Sequence, residues 1–339
     1  MKENDHIYII AEAGVNHNGD YDLACKMIDT AADCGADAIK FQTFKAEKLV
    51  SASAKKVKYQ QQLTDSDESQ LKMLKELELS ENDFTRLKSH CDSRGIDFLS
   101  TPFDTDSVDF LEDLVTVFKI PSGELTNLPF LEYVAGKQKE IILSTGMGTL
   151  GEVEEAVNVI RKKNDRNLVL LHCTSNYPTA FEDVNLRCME TMRRAFRLPA
   201  GYSDHTPGIE VSIAAAALGA VVIEKHFTMD RSLPGPDHKA SLVPDELKAM
   251  VDSVRHIEQA MGTGIKAPRP DEMEVLKSVR KSLVSARDIK PGEIIQRADI
   301  ELKRPATGIA PSFLSLITGK KIVKDLKQDE IITWEHFLE

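Results

Sequence analysis

The chain has 339 residues, of which 42% are hydrophobic, 29% charged and 6% aromatic, which excludes a disordered tail, a coiled coil or a mini-domain that needs disulfide staples. Lys and Arg total 43 against 54 Asp and Glu, a net charge of −11. The overall field therefore repels nucleic acid and anionic membranes, and an anionic substrate must meet a local cationic pocket.

The opening run MKENDHIYII is too charged for a secretory signal, and the apolar stretch 211–223 is too short to span a bilayer. Short β-rich runs then alternate with longer amphipathic stretches. In chain order the predicted strands are Ile7–Gly14, Ala36–Gln42, Ile96–Pro102, Val117–Gly123, Glu140–Thr145, Asn167–Cys173, Leu198–Asp204 and Val221–Phe227. Predicted helices include Tyr21–Ala32, Glu81–Ser93 with Ser80 as N-cap, Gly151–Lys163 and Ile209–Leu218. Eight β/α alternations predict a (β/α)8 barrel, a TIM barrel, over residues 1–262. The interval 43–95 exceeds a normal crossover, and its polar part, Lys55 to Glu68, reads as a solvated insertion loop or an active-site lid. After a helix near Asp245–Met261, Gly262, Gly264, Pro268 and Pro270 mark a linker over 263–280. Residues 281–339 carry short β-like pieces between turn signals and form a small separate β-rich domain. The cysteines Cys25, Cys34, Cys91, Cys173 and Cys188 fall in no Cys-x-x-Cys pair, the usage of a reduced cytoplasmic protein without structural zinc.

In such a barrel the working residues sit at the C-terminal ends of the strands. Those ends carry Glu12, Lys40, Gln42, Thr101, Lys119, Ser122, Glu124, Ser144, Ser175, Tyr177, Ser203, Glu224 and His226, and polar groups inside strands are costly unless bonded or used. His205 and His226 close adjacent strands, so both imidazoles reach one point at the mouth. Two nitrogens near Glu12 suit an open Mn2+ or Mg2+ site better than closed zinc. Lys40 and Lys119, with the hydroxyls of Thr101, Ser122, Ser144 and Ser203, suit a substrate bearing phosphate and carboxylate. Lys225 alternates with His226 and points outward, as a structural residue. The loop Pro234-Gly-Pro-Asp237-His238 either brings Asp237 over the mouth or is a rigid turn.

The ordered motifs Ala11-Glu-Ala-Gly-Val-Asn-His-Asn-Gly19, Lys40-Phe-Gln, Ser100-Thr-Pro-Phe103, Lys119-Ile-Pro-Ser-Gly-Glu124, Ser144-Thr-Gly-Met147, Gly201-Tyr-Ser-Asp-His-Thr206, Glu224-Lys-His-Phe227 and Gly235-Pro-Asp237 closely resemble the bacterial sialic acid synthases. The resemblance extends into the last 60 or so residues, which look like the antifreeze-like (SAF) domain of that family. It implies condensation of phosphoenolpyruvate with an N-acetylated hexosamine to a nine-carbon 2-keto acid and phosphate, with a divalent metal. It further implies that His205 and His226 bind Mn2+ or Mg2+, and that Glu12 orients the sugar aldehyde. Lys40, Thr101, Lys119, Ser122, Ser144 and Ser203 would hold phosphoenolpyruvate, while Glu124, Ser175, Tyr177 and Asp237 line the sugar site. The implied assembly is a domain-swapped homodimer in which Arg304 reaches a partner's barrel and the sugar N-acetyl group. Phe41 and Phe44 stand where some N-acetylneuraminate synthases carry His, which would make the sugar pocket less polar. With the other motifs they resemble synthases of legionaminic acid, made from a 6-deoxy diacetamido sugar, more than the pseudaminic branch. The rival reading of these barrel lysines is a metal-independent Schiff-base pyruvate aldolase. An ice-binding role for the last domain is excluded by the crowd of Lys320, Lys321, Lys324 and Lys327.

Overall fold

The computed structural model describes residues 6–51 and 69–338, so the polar stretch Lys55 to Glu68 lies outside the described residues. The chain divides into two compact units, Met1–Gly262 and Thr263–Glu339.

In the first unit eight strands form a parallel sheet: β1 (Tyr8–Gly14), β2 (Ala38–Thr43), β3 (Asp97–Pro102), β4 (Val117–Ile120), β5 (Glu140–Ser144), β6 (Leu168–Cys173), β7 (Ala200–Asp204) and β8 (Val222–His226). The hydrogen-bonded order is β3-β2-β1-β8-β7-β6-β5-β4. Among the described residues no ladder joins β3 to β4, but these two end strands lie side by side, so the sheet forms a nearly closed barrel. Helices follow the strands on the outside, as the alternation predicts. β4 ends at Ile120 and β7 begins at Ala200 because Pro121 and Pro199, each without an N–H, flank them.

Several helices are fixed by their own caps. Ser80 Oγ accepts from Asp83 N at 3.1 Å, and the Asp83 carboxylate accepts in return from Ser80 N, starting the helix Glu81–Arg94 as predicted. Gly95 ends that helix in the left-handed region at φ 68°. Thr149 and Glu152 form the same reciprocal cap ahead of Leu150–Lys163.

Strand alternation sorts the interior into layers. Ile10, Ala38, Leu99, Val117, Ile142, Leu171 and Val222 pack together as an apolar plug across the barrel. Two residues further along the same strands stand Glu12, Lys40, Thr101, Lys119, Ser144, Cys173 and Glu224, all buried. Residues of opposite parity face the helices. Phe41 is one of them: it is fully buried in the barrel–helix core and stacks on Phe98 with ring centroids 5.9 Å apart. Phe44 packs with Val15, Ala46, Met73, Leu74 and Leu77. Phe41 therefore does not face the barrel mouth as expected from the sequence, because Lys40 and Gln42 take the inner face, whereas Phe44 belongs to the apolar cluster beside the mouth. Lys225 does point away from His226, yet it is buried and paired with Asp204 at 2.8 Å.

The second unit has its own core, built from Leu283, Ile289, Ile295, Ile300, Ile309, Ile317, Ile322, Leu326 and Ile332. A helix, Glu272–Val279, precedes an antiparallel pair, β9 (Ser282–Ser285) and β10 (Ile300–Lys303), and isolated bridges stitch the remainder. Gly308 is required for close approach, since a Cβ there would lie 2.2 Å from Ile331 Cγ2.

Candidate active site

Above the apolar plug lies a buried cluster of four charges. Lys40 Nζ is 2.7 Å from Glu12 Oε2 and 3.6 Å from Glu224 Oε2, and it donates to Thr101 Oγ1 at 3.0 Å. Lys119 Nζ is 3.3 Å from Glu224 Oε1, which also accepts from Ser203 Oγ at 2.9 Å. Gln42 Nε2 donates to Glu12 Oε1 at 3.3 Å. Two lysines and two carboxylates balance, which is what permits burial; an isolated buried charge would cost several kcal/mol.

The two carboxyls are driven apart. Burial, reinforced by Glu224, outweighs Lys40 and pushes Glu12 up to about 7. Burial acts on Glu224 too, but Lys119 and Lys40 with the Ser203 bond overcome it and hold that group down at about 2. Burial pulls the Lys119 amine down, against the attraction of Glu224. For Lys40 the pull of burial is exceeded by Glu12 and Glu224, and its amine is raised. Glu224 is the shared counter-ion of both lysines. Its position two residues before His226 puts it on the inner face, the one signal in the sequence for this role.

One layer higher are the histidines. The rings of His205 and His226 have centroids 5.5 Å apart. His205 Nδ1 is held at 2.8 Å by the Thr174 carbonyl, which fixes its orientation. His226 Nδ1 is buried without a hydrogen-bond partner. Burial, then the neighbouring His205 and Lys40, holds His226 well below its usual range. A neutral, unsatisfied imidazole beside an oriented one is a donor set that fits a divalent cation. Among the described residues no group of three or more His, Cys, Asp or Glu is arranged to hold a metal, so further ligands would come from substrate and water. Tyr177 lies against both rings, 4.1 Å from His205 and edge-on to His226 at 5.7 Å.

A cavity of about 120 Å3 opens here, lined on one side by Gln42, Tyr177, His226, Pro236 and Asp237 and on the other by Val15, Met73, Leu74 and Leu77. Asp237 therefore does sit over the mouth, and burial pushes its carboxyl up to about 6, with His205 opposing.

Gly146, within the motif Ser144-Thr-Gly-Met147, forms a cradle. Its N–H donates to Ser122 Oγ at 2.9 Å, and a Cβ on it would lie 2.4 Å from Ser175 Oγ and 3.2 Å from Cys173 Sγ. Ser122, Ser175 and Cys173 thus converge on a glycine at the end of β5. Ser144 Oγ, on the same strand, is buried without a partner, a donor available to a ligand. Glu124 lies on the turn after β4, half-buried, and accepts from Asn127 Nδ2 at 2.6 Å. Arg304 belongs to the second unit, exposed at the end of β10.

A parallel barrel with buried lysines, hydroxyls and paired imidazoles at the C-terminal ends of its strands defines an enzyme for an anionic substrate. The comparisons narrow the class. The model of the NeuB family matches residues 27–266 and that of the SAF domain residues 280–338. The chain is 53% identical to the N,N'-diacetyllegionaminic acid synthase of Campylobacter jejuni, over 96% of this chain and 98% of that one. It is 49% identical to the enzyme of the same name from Legionella pneumophila, over 97% and 94%. A solved N-acetylneuraminic acid (sialic acid) synthetase from Leptospira borgpetersenii superposes with a TM-score of 0.72 at 37% identity, covering 80% of this chain and 90% of that one. The chain belongs to the NeuB family. It is an enzyme of the sialic acid and legionaminic acid synthase type, using phosphoenolpyruvate to extend an amino sugar.

Proposed function

We propose that the acceptor is a 2,4-diacetamido-2,4,6-trideoxy hexose and the product an N,N'-diacetyllegionaminate. The observation that carries this is the 53% and 49% identity to two N,N'-diacetyllegionaminic acid synthases, against 36% to human N-acetylneuraminate-9-phosphate synthase and to a pseudaminic acid synthase of Campylobacter jejuni. The cavity supports it physically: the wall of Val15, Met73, Leu74 and Leu77 suits a methyl group better than a hydroxyl, which would lose its hydrogen bonds there.

In this reading Lys40 and Lys119 hold the phosphate and carboxylate of phosphoenolpyruvate, with Thr101, Ser122, Ser144 and Ser203 as donors around them. Protonating Glu12, whose carboxyl sits near neutrality, leaves two lysines facing the single carboxylate of Glu224 and gives the site the positive charge an anionic ligand requires. C3 of phosphoenolpyruvate attacks the sugar aldehyde, water adds at C2, and C–O cleavage releases phosphate. His205 and His226 would hold Mn2+ or Mg2+, which when bound supplies a Lewis acid for the aldehyde oxygen. Glu12 orients the sugar, Glu124, Ser175 and Tyr177 line it, and Asp237 exchanges a proton at the reacting end. Packing against the paired imidazoles excludes bulk water and fixes the approach. The proposed assembly is a domain-swapped homodimer in which Arg304 of the partner subunit meets the N-acetyl group. The five free cysteines and the absence, among the described residues, of a helix long and apolar enough to cross a membrane support a cytoplasmic setting.

The test is phosphate release from phosphoenolpyruvate with Mn2+, comparing the diacetamido sugar with N-acetylmannosamine, with and without chelator, followed by product mass. Chelator-sensitive release favouring the diacetamido sugar is expected; equal or better use of N-acetylmannosamine overturns the acceptor assignment.

A further inference from the structure

We propose that His238 is a positioning residue whose imidazole latches the loop after β8 to the loop after β1 and so holds the Asp237 carboxyl in the substrate cavity. The proposal rests on the synthase reading for its catalytic consequence, while the latch itself rests on geometry alone.

His238 has no exposed surface. Its Nε2 is 3.1 Å from Asn18 Oδ1, on the loop after β1, and its Nδ1 is 2.7 Å from Thr228 Oγ1, just past β8. An amide oxygen accepts, so Nε2 carries the proton, and Nδ1 accepts from the threonine hydroxyl. The side chain is thereby bonded at both ends to segments 220 and 10 residues away in sequence. Around it the same two loops are joined again: Asn16 Nδ2 donates to Phe227 O at 2.8 Å and to Ser241 Oγ at 3.0 Å. Ser241 Oγ in turn donates to the carbonyl of Asp237 at 2.7 Å. Asp237 is thus pinned through its own carbonyl and through its chain neighbour, while its side chain lines the cavity beside His226 and Tyr177.

The backbone is built for this contact. Gly235 has φ 149°, and a Cβ there would lie 2.8 Å from His238 Cδ2 and 3.0 Å from Asn18 Oδ1. Only glycine lets the loop close over the ring. Burial holds the imidazole below its usual range, so it is neutral, as an acceptor at Nδ1 must be. Nothing in the sequence marked His238 apart from other histidines, because the Asn18 contact comes from a loop 220 residues away.

The test uses the full chain in four variants: His238→Ala, His238→Gln, Asn18→Gly and Asp237→Asn. Asn18→Gly removes only the Nε2 acceptor and keeps a residue suited to φ 52°, so it stands in if His238→Ala does not fold. Amide hydrogen exchange of the segment 228–242 should quicken in His238→Ala and Asn18→Gly, with the remainder of the barrel unchanged. In turnover, the acceptor-sugar kcat/KM should fall about tenfold or more while the KM for phosphoenolpyruvate holds, and His238→Gln, which keeps a donor and an acceptor, should recover most of it. Combined with Asp237→Asn, loss of the latch should cost nothing further, because its effect passes through that carboxylate. Unaltered exchange in the loop overturns the latch. Quickened exchange with unchanged sugar kinetics, or a fully additive double variant, overturns the positioning role. Should the wild type fail to turn over either sugar, the synthase reading fails separately and the exchange measurement alone decides the latch.

Discussion

The two carboxyl groups that matter most are unlike in what they want from their surroundings. Glu224 is ionised between two lysines, so Glu224→Ala would leave Lys40 with Glu12 and Lys119 with no carboxylate in contact. Removing one member of such a buried set costs about 3–5 kcal/mol, measurable as a lower urea midpoint. Glu224→Gln, which keeps the shape and the Ser203 bond, should cost less but lose turnover. Asp237 behaves the other way. Its carboxyl ionises near pH 6 in the fold and near 3.8 in the unfolded chain, so folding takes up a proton between those values. Stability from this group is present at low pH and lost as pH rises through 6. Asp237→Asn, which cannot ionise, should melt higher than wild type at pH 8 and equally at pH 3.5, while turnover falls; a lower melting point at pH 8 would contradict burial as the cause.

At the level of the strand, parity decides which residues can act. Alternation from Ile10 to Glu12, Ala38 to Lys40 and Val222 to Glu224 was legible in the sequence, and with it the barrel and most of the polar layer. Placing Phe41 in the sugar pocket contradicted that same parity, since Lys40 and Gln42 already took the inner face. What no local pattern carries is which neighbour a side chain meets: the Glu224–Lys119 pair and the His238–Asn18 bond join residues more than 100 apart, and only packing brings them together. Gly201 shows how tight the result is. On the inner face of β7, a Cβ there would lie 2.3 Å from Val222 O and 2.8 Å from Leu171 Cδ2. Gly201→Ala must push β8 away from β7, at about 1–3 kcal/mol, and because Ser203 and Glu224 pair across the same two strands, phosphoenolpyruvate KM should rise with it.

The chain as a whole consists of two units with separate cores, and the proposed swap divides the site between subunits. Two inactive variants should then complement each other: Lys40→Ala disables the barrel, Arg304→Ala the second unit. After unfolding and refolding together, mixed dimers contain one site with both residues intact, and phosphate release should reappear. Silence in the mixture, with each variant folded, would place Arg304 outside the partner's site. The second unit's own core of nine buried aliphatic side chains predicts in addition that residues 263–339 melt cooperatively as an isolated piece.

Among the described residues the barrel is sewn along seven of its eight joints; the eighth, between β3 and β4, has no ladder. Thr101 stands on one lip of that seam and Lys119 on the other. An anion touching both would act as a clasp, doing for the hoop what backbone hydrogen bonds do elsewhere around its circumference. The substrate would then be a structural part of the enzyme for as long as it stays.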